Sequence, residues 1–280
     1  MTTQALPNAP TLPRPAPVAA RPRRRLGPGR PLPYGRLIGP LLLLAVWALT
    51  SAVGWLDPRL VSPPWTVVQT AGDLIANGEL PRHVSASVQR AMSGFVLGGL
   101  SGVALAVVAG LTRIGAALID GPVQIKRAIP TIALAPLLIL LLGINESFKI
   151  VLIAAGVAAS IYVPFHAALA GIDNRYVELA QVQNYRHWEF LRHVVFPGAL
   201  PGLFVGLRLS VTVSWLLLAT VEQINALSGI GYMMGQAQLY AQTDIILLGL
   251  ALYAVLGFTS DSVVRLVERR VLAWRRTLSN

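Results

Sequence analysis

The stretch that decides the fold is AMSGFVLGGLSGVALAVVAGL, residues 91–111, which contains no charged side chain. A bilayer core about 30 Å thick needs about 20 mostly apolar residues for one helical crossing, and this run has that length. Its glycines Gly94, Gly98 and Gly102 recur every four residues, so a neighbouring helix can approach closely along one face. The stretch therefore predicts a membrane-spanning helix with a close helical neighbour.

The composition of the whole chain agrees with lipid as its solvent. Of its 280 residues, 54% are hydrophobic and 12% are charged, against roughly 25% charged in an ordinary soluble domain. Much of the net charge of +11 sits in residues 21–36 and 265–276. No basic stripe with interleaved aromatics lies between them, which argues against a nucleic-acid partner. The absence of cysteine excludes disulfides and thiolate metal sites.

Five further apolar runs bring the prediction to six spans and an all-α, polytopic membrane fold. These runs are 37–55, 129–143, 150–170, 203–221 and 245–264. The run 129–143 is short and contains Pro130 and Pro136, so we expect an interrupted helix whose freed backbone groups are satisfied by protein or water. Residues 64–76 are expected to form a short amphipathic helix at the membrane surface.

The chain divides into one membrane domain and two tails. Residues 1–36 are rich in Pro, Ala and Arg, which predicts a disordered basic tail. A secretory signal peptide is the competing interpretation, but its charged region would be unusually long and more spans follow, so the first span is expected to be retained. The membrane domain is 37–270, and 271–280 form a second tail.

The distribution of Lys and Arg predicts the orientation. Six spans place both termini on one side together with the loops 112–128 and 171–202, and that side holds eighteen basic residues against four on the other. Basic residues concentrate on the cytoplasmic side of membrane proteins. We therefore expect a multi-pass protein of the bacterial inner membrane, surrounded by lipid, with both termini in the cytoplasm.

The loop 173–202 is the longest internal segment predicted on the cytoplasmic side, and it is not a simple charged linker. An apolar face in water must be buried against something, and the economical candidate is a separate cytoplasmic protein. The apolar residues of this loop are Tyr176, Val177, Ala180, Trp188, Phe190, Leu191, Val194, Val195 and Phe196.

A spaced pattern within this loop resembles the EAA loop of binding-protein-dependent ABC importer permeases. In that family Glu-Ala-Ala is followed after three residues by Gly, after nine more by Ile, and after one more by Leu-Pro. The matching residues here are Glu178, Leu179, Ala180, Asn184, Val194, Phe196 and Pro197. Asn184 replaces the glycine, and since asparagine tolerates a left-handed turn the bend can survive.

Further blocks resemble the branch of that family that imports sulfonates, taurine and nitrate. They are LVSPPWTV at 60–67, IPTIALAPLLILLLGINESFKI at 129–150, FPGALPGLFVGLRLS at 196–210, SGIGYMM at 228–234 and QTDIILLGLALYAVLG at 242–257. The resemblance implies a type I permease fold with a helix–turn–helix over about 174–194 that docks on a cytoplasmic ABC ATPase. It also implies a homodimer with two ATPase copies and a periplasmic substrate-binding protein.

The resemblance implies an importer of aliphatic sulfonates, with taurine, nitrate or another small organic ion as alternatives. No phosphate-binding loop is present, so this chain is expected to be no enzyme and to bind no cofactor, while the partner subunit uses ATP. The four histidines show no metal-ligand spacing. Two other classes of protein are the alternatives. A secondary transporter would need internal repeats and paired intramembrane charges, which the sequence does not show. A membrane enzyme would need clustered acids or histidines, and the four histidines here are scattered.

Four residues of the later spans are candidates for the substrate pathway. They are Arg208, Ser210, Ser214 and Glu222. Charged side chains at bilayer depth are expensive and therefore functional candidates. Snorkelling is the favoured explanation of Arg208, helix packing explains the serines as easily, and Glu222 has the alternative of a hydrated place at the outer interface.

Overall fold

The computed structural model describes residues 35–274, with side chains described from residue 38. Over this range the chain is helical, without strands. Of the two predicted tails, residues 1–34 and 275–280 lie outside the described residues. The helices are α1 Gly35–Ala52, α2 Pro64–Ala76, α3 Glu79–Leu111, α4 Arg113–Ala128, α5 Ala135–Leu142, α6 Glu146–Ala170, α7 Asn174–Val182, α8 His187–Phe190, α9 Phe196–Asn225, α10 Ile230–Leu239 and α11 Thr243–Val271, with a 3₁₀ turn at Thr131–Leu134 and a π turn at Leu191–Val195.

The spans confirm the all-α, polytopic prediction. In the described part of the chain, four helical runs are long and apolar enough to cross a membrane, namely α3, α6, the continuous run His187–Asn225 and α11. A fifth candidate is the pair Arg113–Ala128 and Thr131–Leu142, which is bent by 98° at its break. The shorter α1 corresponds to the first predicted span, and α2 confirms the helix predicted over 64–76.

Two helices differ from the predicted elements. The helix that contains residues 91–111 already begins at Glu79, and its polar residues Ser87 and Arg90 are buried on the face that continues through the glycines. Residues 113–128, predicted as part of a loop, form the helix α4. Hydropathy missed α4 because its four charged side chains, Arg113, Asp120, Lys126 and Arg127, dilute its apolar residues.

Helix α6 is the centre of the bundle. It runs parallel to α3, and glycines set the distance between the two backbones: a Cβ added at Gly102 would lie 2.6 Å from the Ala158 carbonyl oxygen. It runs antiparallel to α9, where a Cβ at Gly206 would lie 2.9 Å from the Ile161 Cα. The predicted close approach along Gly94, Gly98 and Gly102 is confirmed.

The bundle has two ends that differ in structure. At one end α3 and α6 finish and α7 and α8 follow, and we call this the α7 end. At the other, which we call the α2 end, α6 begins and α9 finishes, and α2 packs through the buried Val67 against Leu80 and Ile230. The Ser62 and Thr243 hydroxyls, 2.7 Å apart, and Thr70, which donates to Asp244 at 2.6 Å, join this end to α11.

Replacing Gly98 by alanine is expected to lower the thermal unfolding temperature in detergent, while Gly99→Ala leaves it unchanged or raises it. A Cβ at Gly98 would lie 2.7 Å from the Val157 Cβ and collide with the Ala154 carbonyl, whereas at Gly99 it would meet only the Ile161 Cδ1 at 3.8 Å. Overpacking of this kind costs about 1–3 kcal/mol, and alanine otherwise favours a helix by up to about 1 kcal/mol over glycine. Equal effects of the two changes would contradict the close contact.

Candidate functional site

Residues 173–195 form the helix–turn–helix that the sequence predicts. The Asp173 carboxylate accepts from the Arg175 amide at 2.9 Å and starts α7. Asn184 takes a left-handed conformation with φ 53°, which asparagine tolerates better than most residues. The Arg186 amide then donates to the Glu189 carboxylate at 2.8 Å as α8 begins. The turn is therefore fixed by local hydrogen bonds on both sides.

The apolar residues of this segment divide into an inner and an outer set, which corrects the single face expected from the sequence. Ala180 and Val195 are buried, and Phe190 and Leu191 pack against the core of α3 and α6. The outer set faces solvent at the α7 end and includes Trp188, which is 64% exposed. We call it the outer apolar face, and its members are Tyr176, Leu179, Val182, Tyr185 and Trp188.

The seven residues of the spaced pattern therefore occupy different positions. Glu178, Leu179 and Asn184 are exposed, and Ala180 is buried. Val194, Phe196 and Pro197 are half-buried where the segment joins α9. Their role in docking stays a prediction. The structure adds Val182 and Tyr185, which the sequence interpretation left out, and a helical wheel of α7 extended to the turn could have found them.

The predicted pathway residues of α9 each have a partner within the bundle. Ser210 is buried and donates to the Gly206 carbonyl at 2.5 Å, and Ser214 is buried with the Ala91 carbonyl at 3.4 Å. Arg208 is exposed, with its Nε 3.4 Å from the Asp261 carboxylate of α11. Helix packing accounts for these contacts, and a role in the substrate pathway stays a prediction for each residue.

Glu222 lies in a buried polar cluster at the α2 end, with 1% of its surface exposed, and not at a hydrated interface. Both carboxylate oxygens accept from the Ser87 hydroxyl at 2.8 Å. One also accepts from the Arg90 guanidinium at 2.7 Å and the other from the Gly231 amide at 2.9 Å. A buried carboxylate is tolerated only with such a full set of donors, so α3, α9 and α10 are joined at this point.

The opposite side of the Arg90 guanidinium extends the cluster to α6. Its Nε and Nη2 donate to the Glu146 carboxylate at 2.5 and 3.0 Å. Lys149 also donates to Glu146, at 2.8 Å. The Ser228 carbonyl accepts from Arg90 at 2.6 Å. Two acids and two bases are therefore paired where the ends of α6, α9 and α10 meet α3.

The turn 228–231 covers this cluster. Gly229 has φ +123°, and a Cβ there would collide with the Glu222 carboxylate, so the position requires glycine. The Gly229 amide donates to His83 at 3.0 Å and the Ile230 amide to the Ser87 hydroxyl at 2.8 Å. The sequence interpretation missed the cluster because its members are far apart in the chain. Because few charged side chains lie near the ends of the spans, those few could have been considered as partners of one another.

The described residues form a bundle of packed spans, joined by ion pairs at one end and exposing the outer apolar face at the other. Residues 98–273 match the family model described as binding-protein-dependent transport system inner membrane component. The chain belongs to this family. It is accordingly a multi-pass inner-membrane protein and an ABC importer permease, and not an enzyme.

Curated relatives and solved structures agree with that membership. An Escherichia coli K12 protein provisionally named as an aliphatic sulfonates transport permease is 41% identical over 84% of this chain and 89% of its own length. A Bacillus subtilis 168 protein with the same name is 35% identical over 90% and 92%. The crystal structure of an amino acid ABC transporter with histidines has a TM-score of 0.58 and 17% identity, and covers 74% of this chain and 97% of that one. It supports the fold.

Replacing Arg90 by methionine is expected to destabilise the protein by about 3–5 kcal/mol, because Glu222 is left buried without its charge partner. Adding Glu222→Gln to Arg90→Met is expected to recover part of that loss, which chemical unfolding in detergent measures as a coupling energy. Glu79→Gln, which neutralises an exposed carboxylate on α3, is the control and is expected to change little. Strict additivity of Arg90→Met and Glu222→Gln would contradict the pairing.

Proposed function

We propose that this chain is the membrane-spanning subunit of an ATP-driven importer that moves a small organic anion, with aliphatic sulfonates as the cargo. The names of the two relatives at 41% and 35% identity support that cargo class. Taurine and nitrate, the other cargoes implied by the sequence blocks, are the alternatives. The ATP is bound and hydrolysed by a separate subunit, and this chain binds no cofactor.

The observation that carries the proposal is the outer apolar face. Two of its side chains, Leu179 and Trp188, project from helices whose connecting turn is held by backbone and side-chain hydrogen bonds. A rigid apolar surface in water is stabilised when a partner covers it, and a helix can fit the groove of that partner. Because the turn is rigid, movement of the partner is passed to α9 and not absorbed by the segment.

The charges around the α7 end support placing it in the cytoplasm with both chain termini. Arg175, Arg186 and Arg192 lie in the helix–turn–helix itself, and α11 ends at the same end with Arg265, Arg269 and Arg270. Basic residues favour the cytoplasmic face of a membrane. The α2 end then faces the periplasm, where a substrate-binding protein delivers the cargo.

A symmetric transporter follows from one docking segment per chain. Two copies of the permease around a central path would present two outer apolar faces to two ATPase copies. ATP binding closes the ATPase pair, the docking helices move together, and the path changes the side to which it opens. In this alternating-access cycle, the movement of the ATPase pair reaches the permease through the helix–turn–helix.

The importer is tested by reconstituting the chain with its ATPase in liposomes and adding sulfonate-loaded binding protein. We expect ATP hydrolysis to rise and labelled alkyl sulfonate to enter the liposomes only when both ATP and loaded binding protein are present. Binding proteins loaded with taurine or nitrate are assayed in parallel to test the alternative cargoes. The proposal fails if no loaded binding protein stimulates hydrolysis or uptake.

Trp188→Ala is expected to weaken the complex with the ATPase by about 30-fold, the consequence of losing about 2 kcal/mol at an interface anchor. The matched control is Trp65→Ala, which removes a 48% exposed tryptophan from α2 at the opposite end. Glu178→Arg, a charge reversal on the exposed side of α7, is expected to prevent co-purification. The affinity is read by biolayer interferometry on nanodiscs. Equal loss from Trp188→Ala and Trp65→Ala would count against docking at the α7 end.

A further inference from the structure

Lys126 lies where the third span breaks. It is in the last turn of α4, just before the 98° bend, and its ammonium donates to the Ala155 carbonyl of α6 at 2.8 Å and to the Thr131 hydroxyl at 3.0 Å. Ala155 is nine residues into α6, or about 14 Å from the start of that helix. The ammonium is therefore inside the span region, well away from both ends.

This ammonium has no carboxylate partner among the described residues. Arg90, Lys149 and Arg208 each have a carboxylate within 3.4 Å. Asp120, the acid of α4, accepts instead from the Tyr162 hydroxyl. An ammonium has three donors, and Lys126 uses two on neutral oxygens. A cation at bilayer depth is costly and marks a functional site by default, so this position is suited to an anion.

A cavity of about 330 Å³ lies against Lys126, between α3, α4 and α6. That volume is in the range of small-molecule sites, about 300–1,000 Å³. Lys126 supplies the one charge among the lining residues, and the Tyr162 hydroxyl is occupied by Asp120. The remaining lining residues are apolar: Leu105, Leu118, Ile119, Pro122, Val123, Ala155, Ala158 and Ala159.

We propose that this cavity binds an anion with a short apolar chain, of the alkyl sulfonate class. The anionic head accepts from the Lys126 ammonium, and the chain packs against Leu118, Ile119 and Ala159. A charge-assisted hydrogen bond to the head and burial of the chain act together, so inorganic sulfate and an alkyl ammonium both lack one of the two contributions. The inference rests on the proposed function for its cargo class and assigns that cargo a place in this chain.

The test is equilibrium binding of labelled butanesulfonate to the purified chain in nanodiscs of zwitterionic lipid. Lys126→Met is expected to weaken binding at least about tenfold, as loss of a charged hydrogen bond worth about 1.5–3 kcal/mol requires. Lys126→Arg is expected to retain most of it. The control Arg127→Met removes a neighbouring cation that is exposed and bonded to Gln124, and it is expected to leave binding unchanged.

A second variant tests the apolar part of the cavity. Ala159→Phe fills it, and is expected to weaken butanesulfonate more than methanesulfonate. Unchanged binding in Lys126→Met, or equal losses in Lys126→Met and Arg127→Met with matching gel-filtration profiles, would overturn the assignment. Displacement of butanesulfonate by phosphatidylglycerol in the nanodisc would identify the cavity as a lipid site and also overturn it.

The liposome assay separates this inference from the proposed function. If wild type and Lys126→Met take up sulfonate equally, the proposed importer is supported and the proposed binding site is ruled out. If butanesulfonate binding depends on Lys126 but no ATP-driven uptake occurs, the binding site is supported and the proposed importer function is ruled out.

Discussion

The structure depends on how closely the backbones of α3, α6 and α9 approach one another. In lipid there is little hydrophobic driving force between helices, so association rests on close packing and on interhelical hydrogen bonds. Helix α6 supplies both neighbours with small residues: Ala154 and Ala158 face the glycines of α3, and its own Gly156 receives Leu217 of α9. The positions of the two ends of the bundle follow from this central packing, because α3, α6 and α9 contribute to both.

The two ends of the bundle differ in which groups they bury and which they expose. At the α2 end, charged groups are buried, and the cost of removing them from water is offset because Arg90 joins Glu146 and Glu222 and the backbone of 228–231 supplies further donors and acceptors. At the α7 end, apolar groups are exposed, and the segment keeps its shape through a capped helix and a left-handed asparagine. The first arrangement specifies which helices meet, and the second leaves a surface that another protein can cover.

Local signals predicted the local structure well and the long-range pairs not at all. The bounds of α2 and the glycine face of α3 follow from neighbouring residues, the turn at Asn184 follows from the resemblance of the loop to its family, and the structure confirms all three. The partners of Glu222 on α3, by contrast, lie 132 and 135 residues away in the chain. A single sequence shows that Arg90, Glu146 and Glu222 are charged, but not that they meet, and hydropathy treats a charge that is paired inside a bundle as a charge in water.

The π turn Leu191–Val195 sets the rotational phase between the outer apolar face and the interior face of α9. A π turn holds about one residue more than an α turn, and each residue of a helix rotates the side-chain direction about the helix axis by about 100°. Trp188 and Glu222 belong to one continuous helical run of 39 residues, about 58 Å long. The direction in which the outer apolar face points, relative to the ion pairs at the far end, therefore depends on the extra residue of this π turn.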